Sequence, residues 1–153
     1  MQNLSLNEIN KNGYSISTDK SNLQIDVIHS FLKDSYWSPD IPKSVVEKAI
    51  RGSLCFGVYH KQKQVGFARL VTDFATFAYL ADVFILEEHR GQGLSQCLMQ
   101  KIINHKELQT IRRWMLATRD AHDLYKKFDF KGLAHPDVFM ERHNPDIYNV
   151  NNA

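Results

Sequence analysis

The chain has 153 residues, enough for one domain with a substantial core and too few for two. Hydrophobic residues at 43%, charged at 24% and aromatic at 11% exclude a disordered, collagen-like or coiled-coil chain. Nineteen basic against 17 acidic residues leave a net charge of +2, without the concentrated basic surplus of a nucleic-acid binder, although a small polyanionic ligand stays compatible.

The opening "MQNLSLNEIN" has no basic segment followed by an apolar one, and no window approaches 18 uninterrupted apolar residues, so the expectation is a cytoplasmic protein with no membrane partner. "GYSIST" at 13–18 alternates apolar and polar side chains as a half-buried strand does. Leu23, Val27 and Phe31, with Ile28 and Leu32 beside them, recur at helical spacing behind the capping residues of "TDKSN", which predicts a helix over 23–34. "YWSPDIP" interrupts the chain, and "PKSVVEKAIRGS" predicts a second helix with Pro42 at its first position and Gly52 near its end. "LCFGVYH", the polar turn "KQKQ" and "VGFARLVTD" predict a hairpin, followed by a third strand in "TFAYLADVFIL". Short connections make these three an antiparallel meander. A helix over 93–104, a strand in "RRWMLAT", a short helix in "DAHDLYKKF" and a last strand in "DVFMERH" complete a mixed α/β order in a single domain, with the ends 1–12 and 144–153 peripheral.

Cys55 and Cys97 sit far apart in apolar settings, and neither they nor the seven histidines show metal-ligand spacing, so no metal is expected. His89 and His122 stand near the interesting stretches without an assigned role, and Lys61, Lys63, Arg112 and Arg113 read as solvated charge.

The stretch "EEHRGQGLSQCLMQKI" carries the main functional signal. Its glycines fit neither the P-loop, which needs Gly-Lys-Ser/Thr, nor the dinucleotide fingerprint, since Gln96 stands where the third glycine belongs. The physics shared by those motifs remains. A strand entering a glycine turn and then a helix presents free N–H groups at the positive helix end, which suits an anion; the other reading is a plain turn that needs positive φ.

Arg90-Gly91-Gln92-Gly93-Leu94-Ser95 resembles the Arg/Gln-x-x-Gly-x-Gly/Ala acetyl-CoA signature of the GNAT N-acetyltransferase superfamily. "LATRDAHDLYKKFDF" is similar to the family's N-x-x-A-x-x-L-Y-x-K-x-G-F, with Ala121, Leu124, Tyr125, Lys127 and Phe130 in register. Ser95 replaces Gly or Ala, Thr118 replaces Asn, and Asp129 replaces Gly; none removes a group the chemistry requires. The resemblance also covers the element order over residues 14–142. It implies a central, mostly antiparallel sheet splayed at the cofactor site and flanked by about four helices, and a homodimer is common in the family.

The resemblance places acetyl-CoA as co-substrate on the backbone of Val83, Phe84 and Ile85 and on the Arg90–Ser95 turn (Arg90, Gly91, Gln92, Gly93, Leu94, Ser95), with Thr118 in place of an amide contact. It makes Tyr125 the general acid, since a phenol near pKa about 10 can protonate a thiolate whose thiol lies near about 8.5. Asp82 is the candidate base or substrate anchor, with a water relay as the alternative base, and a backbone N–H at Phe84 or Ile85 the candidate oxyanion donor. Tyr36, Trp37, Asp73, Phe74 and Tyr79, aromatics interleaved with acids, suit an amine-bearing small molecule through cation–π and ion-pair contacts. A protein or peptide amine, or a non-catalytic acyl-CoA sensor, are the alternatives.

Overall fold

The computed structural model describes residues 6–149. The elements run α1 (Leu6–Lys11), β1 (Tyr14–Ser17), α2 (Ile25–Leu32), α3 (Lys43–Arg51), β2 (Leu54–His60), β3 (Lys63–Thr72), β4 (Phe77–Ile85), α4 (Leu94–Ile103), β5 (Arg113–Leu116) and α5 (His122–Lys126), with short 3-10 turns between them. The strands form one sheet in the order β1-β2-β3-β4-β5, antiparallel except for the parallel pair β4–β5.

The local rules account for most of this. β2 and β3 are covered on both faces, so their apolar runs are nearly continuous rather than alternating. On one side Phe56, Val58, Ala68 and Leu70 meet Leu98, Met99 and Ile102 of α4. On the other, Cys55 and Phe67 meet Ile28 and Leu32 of α2 and Val46 and Ile50 of α3, each helix burying an i, i+4 pair. The β2–β3 connection is tighter than the "KQKQ" reading: Lys61 and Gln62 alone form it, at φ 48° and 74°, and β3 already starts at Lys63. Positive φ at both central residues is what a two-residue hairpin needs to match strand twist.

One expectation requires correction. "DVFMERH" forms no strand: a 3-10 turn occupies Pro136–Val138, and the following residues run exposed, with Val138 at 68% and Met140 at 97% exposure. Alternation marks a segment able to pair; it does not supply a partner, and among the described residues no strand pairs with the outer edge of β5. α1 adds Ile9, 1% exposed, to the main core. The remaining end residues, 1–5 and 150–153, lie outside the described residues. Among the described residues no helix is long and apolar enough to cross a membrane, and no group of three or more His, Cys, Asp or Glu side chains could hold a metal ion.

The sheet opens at one place. Phe77 to Leu80 of β4 pair with Arg113 to Leu116 of β5, and there β5 stops while β4 continues to Ile85. The same half of β4 carries a bulge: between the pairs Phe67↔Phe84 and Arg69↔Ala81, Asp82 and Val83 oppose Ala68 alone. Asp82 takes φ 55° to accommodate the extra residue. Bulges disrupt pairing and bend the strand, so this stretch of β4 turns away from β5 and leaves a slot between them.

Candidate active site

The slot is the mouth of a cavity of about 690 Å³. Its walls include β4 from Tyr79 to Ile85, the segment Leu116 to Ala121 after β5, and Leu124 and Tyr125 of α5. A second recess of about 290 Å³ adjoins it, sharing Ile85, Arg90, Ser95 and Leu124 and adding Gly91, Gly93 and Lys127. Together they suit a long ligand with different chemistry at its two ends.

The glycine turn makes the anionic end. Gly91 and Gly93 stand at φ 78° and 77°, a conformation that costs a side-chain-bearing residue roughly 1–2 kcal/mol. A Cβ added at Gly91 would meet nothing within 4 Å, so backbone conformation, not crowding within the protein, requires glycine there. Gly93 caps α4 without a side-chain hydrogen bond, which leaves the first N–H groups of a ten-residue helix open to a ligand. Arg90 braces the turn by donating from Nε to the Ile85 carbonyl at 2.8 Å. His89 braces it from the far side through a 2.7 Å hydrogen bond between its Nδ1 and the Tyr14 hydroxyl.

The other end is a clasp of charge and aromatic rings. Arg69 donates from Nε to Asp82 Oδ2 at 2.8 Å and from Nη1 to Ser53 Oγ at 3.1 Å. Trp37 Nε1 donates to the remaining carboxylate oxygen of Asp82 at 2.9 Å. The neighbouring Tyr36 accepts the Arg119 N–H at 3.1 Å, and the Arg119 guanidinium lies 4.0 Å from its ring centroid. Phe31 stacks on Phe84 with centroids 4.1 Å apart. The α2–α3 loop is thereby fastened to both walls of the slot, to β4 through Asp82 and to the β5–α5 link through Arg119.

Tyr125 is 8% exposed on the cavity wall, and no side chain among the described residues hydrogen-bonds its hydroxyl. Burial, and secondarily Tyr36 and Asp120, push its pKa up to about 12. Thr118 also lines the cavity, and its hydroxyl accepts the Ala121 N–H at 3.1 Å, which opens α5.

The structure gathers Tyr36, Trp37, Tyr79, Asp82, Val83, Phe84, Ile85, Arg90, Ser95, Thr118 and Tyr125 around one cavity, and Gly91, Gly93 and Leu94 around its neighbour. Gln92 belongs to the turn but to neither wall. Asp73 and Phe74 are not brought to the site; this is a correction. They form the β3–β4 turn, where Asp73 accepts the Thr76 hydroxyl and the N–H groups of Ala75, Thr76 and Phe77. Those bonds, the Thr76 hydroxyl first, hold its carboxyl well below the usual carboxylate range. Arg69 and Arg119 line the cavity although the sequence reading left them out, and Lys127, read there only as a motif match, lines the smaller recess. Arg69 carried a signal, being the one charge inside the apolar run "VGFARLV".

Comparison with known proteins bears on the family and the fold. A model of the acetyltransferase (GNAT) domain matches residues 51–132. A protein of Gibberella zeae named as a candidate acetyltransferase is 36% identical, the match covering 74% of this chain and 76% of that one. The crystal structure of a candidate GNAT-family acetyltransferase from Xanthomonas campestris pv. campestris superposes with a TM-score of 0.87 at 48% identity, covering 89% of this chain and 96% of the other. A candidate acetyltransferase of Clostridium acetobutylicum, solved with acetyl-CoA, shares the fold at a TM-score of 0.62 and 15% identity, covering 85% and 94% of the two chains.

Proposed function

The chain belongs to the GNAT acetyltransferase family, whose members use acetyl-CoA, and from that premise we propose that it acetylates a primary amine of a small molecule, with Tyr125 as proton donor to the departing thiolate. The observation that carries the choice of acceptor is the α2–α3 loop fastened across the slot by Trp37 to Asp82 and by Tyr36 to Arg119. A peptide lying along the site would need an open groove there, whereas a compact amine needs only the aromatic cavity beneath.

The residues present fit the co-substrate. Glycines at positive φ with open space beside Gly91, and the free first turn of α4, would take the pyrophosphate, with Arg90 and Lys127 adding positive charge. The Val83–Ile85 backbone, on the strand half that has left β5, would take the pantetheine arm. The co-substrate supplies an activated acyl thioester. The protein orients the amine between Tyr36, Trp37 and Tyr79, excludes bulk water, and holds a proton at Tyr125 Oη. Both oxygens of Asp82 are engaged, by Arg69 and Trp37, so Asp82 acts as the anchor of the clasp and the amine's proton leaves through water.

Free-thiol release from acetyl-CoA, measured with a panel of small amines and with peptides, tests this reading. Turnover of small amines with peptides inert is the expected result. Turnover of peptides alone would overturn the acceptor class, and tight CoA binding without thiol release from any amine would mark a sensor.

The phosphate cradle has its own check. Gly93→Val forces a β-branched residue to φ 77° at the head of α4. The expected result is a rise of about tenfold or more in the Kd for CoA by calorimetry, about 1.4 kcal/mol, with the circular dichroism spectrum retained. Unchanged affinity would remove the turn from cofactor binding.

A further inference from the structure

Among the described residues, the charged side chains on the wall of the catalytic cavity are Arg69, Asp82, Arg90, Arg119 and Asp120. The first three are committed. Arg69 and Asp82 neutralise each other at 2.8 Å, and Trp37 takes the remaining carboxylate oxygen. Arg90 donates to the Ile85 carbonyl on the glycine turn, at the end suited to a pyrophosphate. Arg119 and Asp120 are left over: among the described residues neither forms an ion pair.

Both stand at the acceptor end. The Arg119 guanidinium lies 4.0 Å from the Tyr36 ring centroid, but the bond that fastens the loop, to the Tyr36 hydroxyl at 3.1 Å, comes from the Arg119 backbone N–H. The clasp therefore does not need the guanidinium. Resting on a ring holds that group in place while leaving its N–H donors open to a ligand. Asp120 follows in the chain, and its charge acts on Tyr125 strongly enough to help raise the phenol's pKa, so it lies near the group proposed to protonate the thiolate. A cation and an anion, both without a protein partner in one aromatic cavity, complement a ligand that carries both signs.

We propose that the acceptor is an amino acid, its carboxylate taken by the Arg119 guanidinium and its ammonium drawn to Asp120 beside Tyr125.

This rests on the small-molecule reading of the site and narrows it. A simple amine would answer Asp120 and leave Arg119 without an anion, whereas a planar guanidinium takes a carboxylate through two parallel N–H bonds. At a peptide N-terminus the neighbouring carboxyl is tied up as an amide, so the same pair disfavours peptides, in keeping with the loop fastened across the slot.

Free-thiol release from acetyl-CoA is measured with α- and ω-amino acids, each beside its amide and beside the amine that lacks the carboxylate. For the best amino acid, the native enzyme is expected to favour the acid over its amide by about a hundredfold in kcat/KM, mostly through KM. Arg119 is exposed, so Arg119→Gln is expected to keep the circular dichroism spectrum, and it should cut that preference to within about fivefold. Arg119→Lys keeps the charge without the two-pronged geometry and is expected to restore part of the preference. Asp120→Asn is expected to raise KM for acid and amide alike, because both carry the ammonium. Amides turned over as well as acids overturn the proposal and leave the small-molecule reading standing. Thiol release with no small amine overturns both. A preference for acids that Arg119→Gln leaves intact overturns the proposal as well.

Discussion

Asp82→Asn is expected to lower the stability of the fold by about 3 kcal/mol and the melting temperature by about 10 °C. The reason is the partner left behind. The Arg69 side chain is 20% exposed and that of Asp82 9%, so the guanidinium would keep a single neutral acceptor, Ser53 Oγ, in a largely dry setting. Asparagine is the informative replacement because it tolerates the φ of 55° at this bulge and still offers Trp37 an acceptor. The companion Arg69→Met/Asp82→Asn removes the stranded charge and is expected to recover most of the lost stability, as paired deletions of buried ions generally do. Turnover divides the two roles. An anchor predicts that the double variant regains kcat to within about tenfold of the native enzyme, because the loop is again held without an unpaired charge. A general base predicts that single and double variants are both slowed, by about 10²–10⁴-fold, with KM unchanged. Stability is read by thermal unfolding, and turnover is read well below the melting temperature of the single variant.

The contrast between Asp82 and Asp73 shows what the sequence could and could not disclose. Both are acids beside apolar runs, and sequence alone placed both at the site. Asp73 is followed at i+3 by Thr76, and its carboxylate closes its own turn, a local device that the "DFAT" spacing already carries. Asp82 depends on two residues far away in sequence, Trp37 and Arg69, which reach it only because β3 and β4 pair with a bulge at Asp82 and Val83. No periodicity announces a bulge, since the apolar pattern of "YLADVFIL" merely slips by one residue. The glycine turn was legible because positive φ at Gly91 and Gly93 is a property of the residues themselves. Tyr125 was legible from the motif around it, while the empty hydrogen-bonding surroundings of its hydroxyl came from the packing of α5. The last strand misled for the opposite reason: "DVFMERH" has strand chemistry, but pairing is a property of two segments, and among the described residues no second segment pairs with it.

Tyr125→Phe is expected to lower kcat by about 10²–10³-fold, or about 3–4 kcal/mol of transition-state stabilisation, while CoA affinity stays within about twofold. The cost to folding is small, because no side chain among the described residues bonds the hydroxyl. Burial pushes the phenol up to about 12, which on paper sets it about 3.5 pKa units above a free thiol and makes full proton transfer uphill by about 5 kcal/mol. The same dry slot acts on both partners: a thiolate leaving beside Tyr125 loses water as the phenolate would, and its own affinity for a proton rises with it. The gap therefore narrows in the place where the proton moves, and charge developing on sulfur meets a donor that is still protonated. The raised pKa also gives the pH dependence its sign. The folded protein keeps the phenol neutral up to about 12, so the stability of the neutral form is fully present below the unfolded value near 10 and is lost as pH rises from about 10 to about 12. Between pH 6 and 9 the tyrosine does not titrate, so the ratio of native to Tyr125→Phe kcat should be flat across that range, with any bell shape set by the acceptor amine. A ratio that collapses toward unity above pH 8 would assign the proton to solvent and reduce Tyr125 to a wall of the cavity.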